Sequence, residues 1–235
     1  MAEELNVVGK LAAQYGKKPV IRSLLQLIPG WGTADTLLQH RADEIRTDRM
    51  RTFFDELADG RQELTDDLVQ SEDFLHCYFC TLRAVLNTRQ RDKIRLLAKL
   101  LDSSIAPDMH HTTDEYEELL AVLENITLRE FGVLCDLRIH ELRNPKTGAE
   151  NELQNAWRYW DRFKEESLQK FGIPEESFNA FMAKLERTGL YLRITGGFMD
   201  YTGDVGKTTL LLGRLLQFVR GEAQPGDTEG QTLLL

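Results

Sequence analysis

Six prolines in 235 residues leave this chain room for long, uninterrupted helices, and apolar residues recur along it at helical spacing. The spacing predicts a short opening helix over 4–15, with Leu5, Val8, Leu11 and Ala12 on one face, and an apolar helix over 20–28. Ile28-Pro29-Gly30-Trp31-Gly32 stops the second of these, because proline followed by paired glycines cannot continue a helix. A long charged helix is expected from Ala34 to about Leu57, and one or two helical turns over 63–70. The next helix starts at Ser71-Glu72-Asp73 and turns Phe74, Leu75, Tyr78, Phe79, Leu82 and Leu86 inward. Asn87-Thr88 breaks it, and helices over 89–101 and 114–125 follow.

The second half has its own rhythm. Amphipathic helices are predicted over 127–143 (Leu128, Phe131, Leu134, Ile139, Leu142) and 150–171 (Leu153, Trp157, Trp160, Phe163, Leu168). Pro174 sits where a helix favours proline, at its first position, ahead of Phe178, Phe181, Met182 and Leu185. Leu190–Ile194 and Gly197–Thr202 read as two short strands joined at Gly196-Gly197, and a helix over 208–219 closes the unit. Three helices, a hairpin and a helix are the order of a winged-helix unit. The expected fold is therefore mainly α: a helical bundle over 1–125, then a winged-helix-like unit with a small β-hairpin over 126–220. Residues 221–235, rich in Gly, Pro, Asp, Glu and Gln, read as a flexible tail.

The net charge of −9 is uneven. Residues 1–105 hold 15 bases and 16 acids, and residues 126–221 hold 14 and 13. Two short pieces without bases, 106–125 with six acids and 222–235 with three, supply the rest. Both folded-looking parts are nearly neutral, which argues against a polyanion-binding protein. Met1–Lys10 carries Glu3 and Glu4 where a signal peptide needs bases, and three cysteines do not make a disulfide framework. A cytoplasmic location is expected.

Several local patterns bear on function. Arg91, Arg95 and Lys99 at i, i+4 and i+8 form the most basic helical stripe, and the acidic run Asp114, Glu115, Glu117, Glu118 and Glu124 is the expected partner for it, ahead of a nucleic acid or an anionic lipid. Lys184 and Arg187 on the would-be recognition helix, and Arg193 on the wing, are the candidates for meeting DNA; Glu175, Glu176 and Glu186 offset them. The apolar segment ending at Trp31 suits either a buried helix or a membrane interface, and the buried helix is favoured. Gly203-Asp204-Val205-Gly206-Lys207-Thr208 departs from a phosphate loop, which needs glycine where Tyr201 stands. His76-Cys77-Tyr78-Phe79-Cys80, with His110-His111, invites a zinc reading, but the apolar surroundings of Cys77 and Cys80 favour buried thiols, as for Cys135. No catalytic residue, metal site or cofactor is expected, and no small-molecule substrate is evident.

Leu27-Ile28-Pro29-Gly30-Trp31-Gly32-Thr33 with Arg41, Ile45 and Arg49, and Leu82-Arg83-Ala84-Val85-Leu86-Asn87-Thr88 with Lys93 and Leu96–Leu101, look like motifs of bacterial helical proteins. With the winged-helix-like second half, this layout resembles the abortive-infection alpha family of phage-resistance proteins. The resemblance implies a non-enzymatic bacterial protein linked to phage defence or prophage, and it carries no site residues. The expected function is protein–protein interaction or self-association. A winged-helix DNA-binding regulator and a membrane-active effector using residues 20–32 are the alternatives.

Overall fold

The computed structural model describes residues 14–15, 18–27, 37–60, 65–106, 112–194 and 205–220. Ten α-helices among these residues make the protein mainly helical, with one two-stranded antiparallel sheet. They form two compact units, one built from residues up to 124 together with 218–220, the other from 125–217. No described helix is long and apolar enough to cross a membrane.

The first unit contains α1 (Pro19–Gln26), α2 (Leu37–Ala58), α3 (Asp66–Val69), α4 (Glu72–Asn87), α5 (Arg91–Ser104) and α6 (Thr113–Asn125). Local chemistry sets the ends. Pro19 opens α1 where its missing N–H costs nothing. Thr65 and Ser71 cap α3 and α4 by accepting from the N–H groups of Leu68 and Phe74. Thr88, in extended backbone, ends α4 at the expected break.

Leu24, Leu25, Met50, Phe53, Phe54, Tyr78, Val85, Ile94, Leu97, Leu100, Leu101, Tyr116 and Leu119 are fully buried and make the core. Each such side chain stabilises the unit by roughly 1.5–3 kcal/mol relative to exposure. The Tyr78 hydroxyl donates to the Leu24 carbonyl at 2.9 Å, which ties α1 to α4. Thr81 donates to the Cys77 carbonyl at 2.8 Å, so its single proton is used and the buried Tyr116 hydroxyl donates to it in turn. Burial raises the Tyr116 phenol well above its ordinary range and keeps it a donor.

The second unit contains α7 (Leu128–Arg143), α8 (Glu152–Phe171), a 3-10 turn (Glu175–Ser177), α9 (Phe178–Glu186), β1 (Tyr191–Arg193), β2 (Gly206–Thr208) and α10 (Leu210–Arg220), whose last residues belong with the first unit. Reciprocal capping boxes start α7 (Thr127 with Glu130) and α8 (Asn151 with Gln154). Gly172 ends α8 in the left-handed conformation, with φ of 59°. Trp160 is the centre of the core. Its ring lies 5.2 Å from Phe163, 6.4 Å from Phe178 and 6.3 Å from Tyr191, centroid to centroid.

The structure differs from the expected pattern in the partner of β1, in the start of α9 and in the coverage of three apolar side chains. The second strand is Gly206–Thr208, registered as Tyr191↔Thr208, Leu192↔Lys207 and Arg193↔Gly206; the expected strand over 197–202 lies outside the described residues. Pro174 does not start a helix. It keeps extended backbone (ψ 139°) and precedes the 3-10 turn, so α9 begins four residues later, at Phe178. Phe79, Leu142 and Trp157 are exposed by 42%, 50% and 47%, because helical spacing selects a face but not how far the neighbouring helices cover it. The expected opening helix over 4–15 and the tail over 221–235 fall on residues outside the described ones, apart from Gln14 and Tyr15.

Candidate functional site

The basic stripe is neutralised, but not by the helix expected to do so. Arg91 makes a two-pronged contact with Asp48 (Nε–Oδ2 3.2 Å, Nη2–Oδ1 2.7 Å). Arg95 pairs with Asp92 at 2.7 Å, and Glu56 receives Lys99 at 3.4 Å and Arg95 at 3.9 Å. The partners thus come from α2 and from α5 itself. The acidic helix α6 contributes a backbone group instead: Lys93 donates to the Glu124 carbonyl at 2.7 Å. Asp48 and Glu56 are eight residues apart on α2, about two turns, and so match Arg91 and Lys99 on α5. Nothing in the sequence made that pairing more probable than the one with α6.

The wing-side cations are held as well. Lys184 reaches Glu130 at 2.5 Å, and Lys207 reaches Glu152 at 2.5 Å. Arg193 lies 3.9 Å from Glu186. Arg187, at the end of α9, is exposed. Glu130 itself is buried and accepts from the N–H and the hydroxyl of Thr127, both at 2.8 Å. Burial pushes its carboxyl up, but Lys184 and the two Thr127 donors outweigh that and hold it below the usual range.

The glycine-lysine-threonine stretch is strand, not loop. Thr208 donates its N–H to Glu141 at 2.6 Å and its hydroxyl to the same carboxylate. With Lys207 on Glu152, the donors a phosphate loop would turn toward an anion are already engaged. Of the apolar segment before Trp31, Ile21, Leu24 and Leu25 are buried in the first unit's core, and Trp31 lies outside the described residues.

The cysteines separate. Cys77 and Cys135 are buried, as expected, and burial pushes the Cys77 thiol up to about 11. Cys80 is not buried. One turn of α4 places it beside His76, with Sγ 3.7 Å from Nε2, and α6 brings Glu117 to the same nitrogen, Oε1–Nε2 2.5 Å. All three ligand-type atoms lie within 4.8 Å of one another. His76 and Glu117 are each about half exposed. Partial burial raises the Cys80 thiol, Arg83 lowers it, and Glu117 and Glu124 raise it further. The sequence motif held His76 and Cys80, but it pointed to His110-His111, which lie outside the described residues, and not to Glu117, which is 41 residues from His76. The His-x-x-x-Cys spacing puts His76 and Cys80 on one face of the helix, and only the packing of α6 supplies Glu117.

The chain matches no family model, no curated protein and no solved structure with which it was compared.

Proposed function

We propose that the chain is a non-enzymatic interaction protein that works by protein–protein contact, self-association in the first instance, with a winged-helix-like C-terminal half. A place in bacterial phage defence rests on the sequence resemblance alone. The observation that carries the reading is the exposure of large apolar side chains on the second unit. Leu210 is 94% exposed, Leu142 50%, Leu192 48% and Trp157 47%. Covering side chains of this size is worth roughly 1.5–3 kcal/mol each, and aromatic anchors are the residues protein interfaces bury most profitably. The winged-helix-like reading is supported by the antiparallel ladder β1–β2, which stands between α9 and α10 in the chain.

Light scattering over a concentration series tests this. Mass that rises with concentration for the wild type, and stays monomeric in Leu210→Lys or Trp157→Lys, supports self-association. A wild type that is monomeric throughout overturns it.

The DNA-binding regulator is a second reading, favoured by one observation: Arg187, which caps the C-terminus of α9 ahead of β1, is exposed. It predicts duplex binding that falls steeply with salt and weakens in Arg187→Glu. Lys184→Glu is the poorer test, because it sets a second carboxylate against buried Glu130.

A further inference from the structure

We propose that His76, Cys80 and Glu117 form a binding site for a divalent transition-metal ion of the zinc class. The inference is independent of the proposed function and rests on the first unit alone.

The donor set is imidazole nitrogen, thiol sulfur and carboxylate oxygen. These are the three side-chain ligand types zinc takes, whereas magnesium and calcium call for oxygen alone. Bonds of about 2.0–2.3 Å in a tetrahedron place neighbouring ligand atoms roughly 3.3–3.8 Å apart. The observed Sγ–Nε2 separation of 3.7 Å already falls there. The Nε2–Oε1 separation of 2.5 Å is that of a hydrogen bond and must widen by about 0.8 Å to admit an ion. The third separation, Cys80 Sγ to Glu117, lies within 4.8 Å, and the half-exposed side chains of His76 and Glu117 are the groups that must rotate to close the tetrahedron.

The scaffold is rigid where it needs to be. His76 and Cys80 stand at i and i+4 on α4, beside the buried Cys77, Tyr78 and Thr81. Glu117 follows Tyr116, whose buried hydroxyl donates to Thr81 of α4 and so fixes the two helices against each other at this level. Asp73, one turn before His76, accepts from the Thr113 hydroxyl of α6 at 3.5 Å, and Glu124 acts on Cys80 together with Glu117, so carboxylates outnumber the one nearby cation, Arg83. Three protein ligands leave the fourth position of the tetrahedron to water or to a ligand from outside.

The test is titration of the full chain with cobalt(II), the spectroscopic substitute for zinc, followed by competition with zinc. The expected result is a thiolate-to-cobalt charge-transfer band in the near ultraviolet at one ion per chain, removed by zinc. Cys80→Ser abolishes the band, while Cys77→Ser and Cys135→Ser keep it. His76→Gln and Glu117→Gln each weaken zinc binding by at least about tenfold, since even groups outside the ligand shell contribute that much. All three ligand residues are at least partly exposed, and circular dichroism verifies that each variant is folded. Absence of the band in the wild type overturns the proposal. So does a band that persists in Cys80→Ser, or one lost in Cys77→Ser instead.

Discussion

Lys184 of α9 holds its ammonium 2.5 Å from the carboxylate of Glu130, which is buried in the first turn of α7. That carboxylate also closes the capping box with Thr127, so one side chain ends a local motif and joins two helices 54 positions apart. The acidic group is thereby held in its charged form, and its loss would be felt at the start of α7 and at α9 together.

Glu130→Gln is expected to cost about 1–2 kcal/mol at pH 7, in the range of a lost cap with a charged partner. The sign of the pH dependence follows from the lowered carboxyl. The wild-type contribution is complete above the unfolded value of about 4.3 and fades as pH falls through the lower folded value. Urea unfolding at pH 7 and pH 3.5 checks this, and the gap between wild type and variant narrows at the lower pH.

Gly206→Ala drives a Cβ into the hydroxyl and ring edge of Tyr191, so the tyrosine must leave its place beside the ladder. A loss of roughly 1–3 kcal/mol is expected, in the range of overpacking in a packed core. Tyr191→Ala in the same chain removes the clash. The double variant is then less destabilised than the two single losses added, a coupling that thermal denaturation of all four proteins measures.

The Ser167 hydroxyl is buried and has no hydrogen-bond partner among the described residues. Ser167→Ala removes an unsatisfied group and improves helix propensity inside α8, so stability rises by on the order of 0.5–1 kcal/mol. A lowered midpoint in urea would contradict this account of the site.

Asp48 and Glu56 shield the stripe of Arg91, Arg95 and Lys99. These pairs are largely exposed, so Asp48→Ala with Glu56→Ala costs less than about 1 kcal/mol in stability. Its larger effect is on binding. Arg91 and Lys99 are released while Arg95 keeps Asp92, and the two freed cations give the variant salt-sensitive affinity for heparin or duplex DNA above that of the wild type, read by fluorescence anisotropy at two salt concentrations.

The features legible in the residues are those whose physics acts within one or two helical turns. The start of α7 after Thr127, the break at Asn87-Thr88 and the ends of α7 and α8 at Arg143 and Phe171 all stand where the spacing of apolar and turn residues places them. Trp160, Phe163 and Phe178 are core as their periodicity requires. The contacts that complete each candidate site join residues distant in the chain. Arg91 chose Asp48 over the acids of α6, Thr208 found Glu141, and His76 met Glu117. Charge and hydropathy state what kind of partner such a group needs, and several stretches offer it. The packing of rigid helices then selects one, because a contact of 3 Å depends on the placement of whole elements and not on the residues beside it. The same reason leaves Cys80 only half-buried and Phe79 exposed on a helix whose pattern turns them inward: how much of a face is covered depends on the neighbouring helices, and no periodicity within the helix records that.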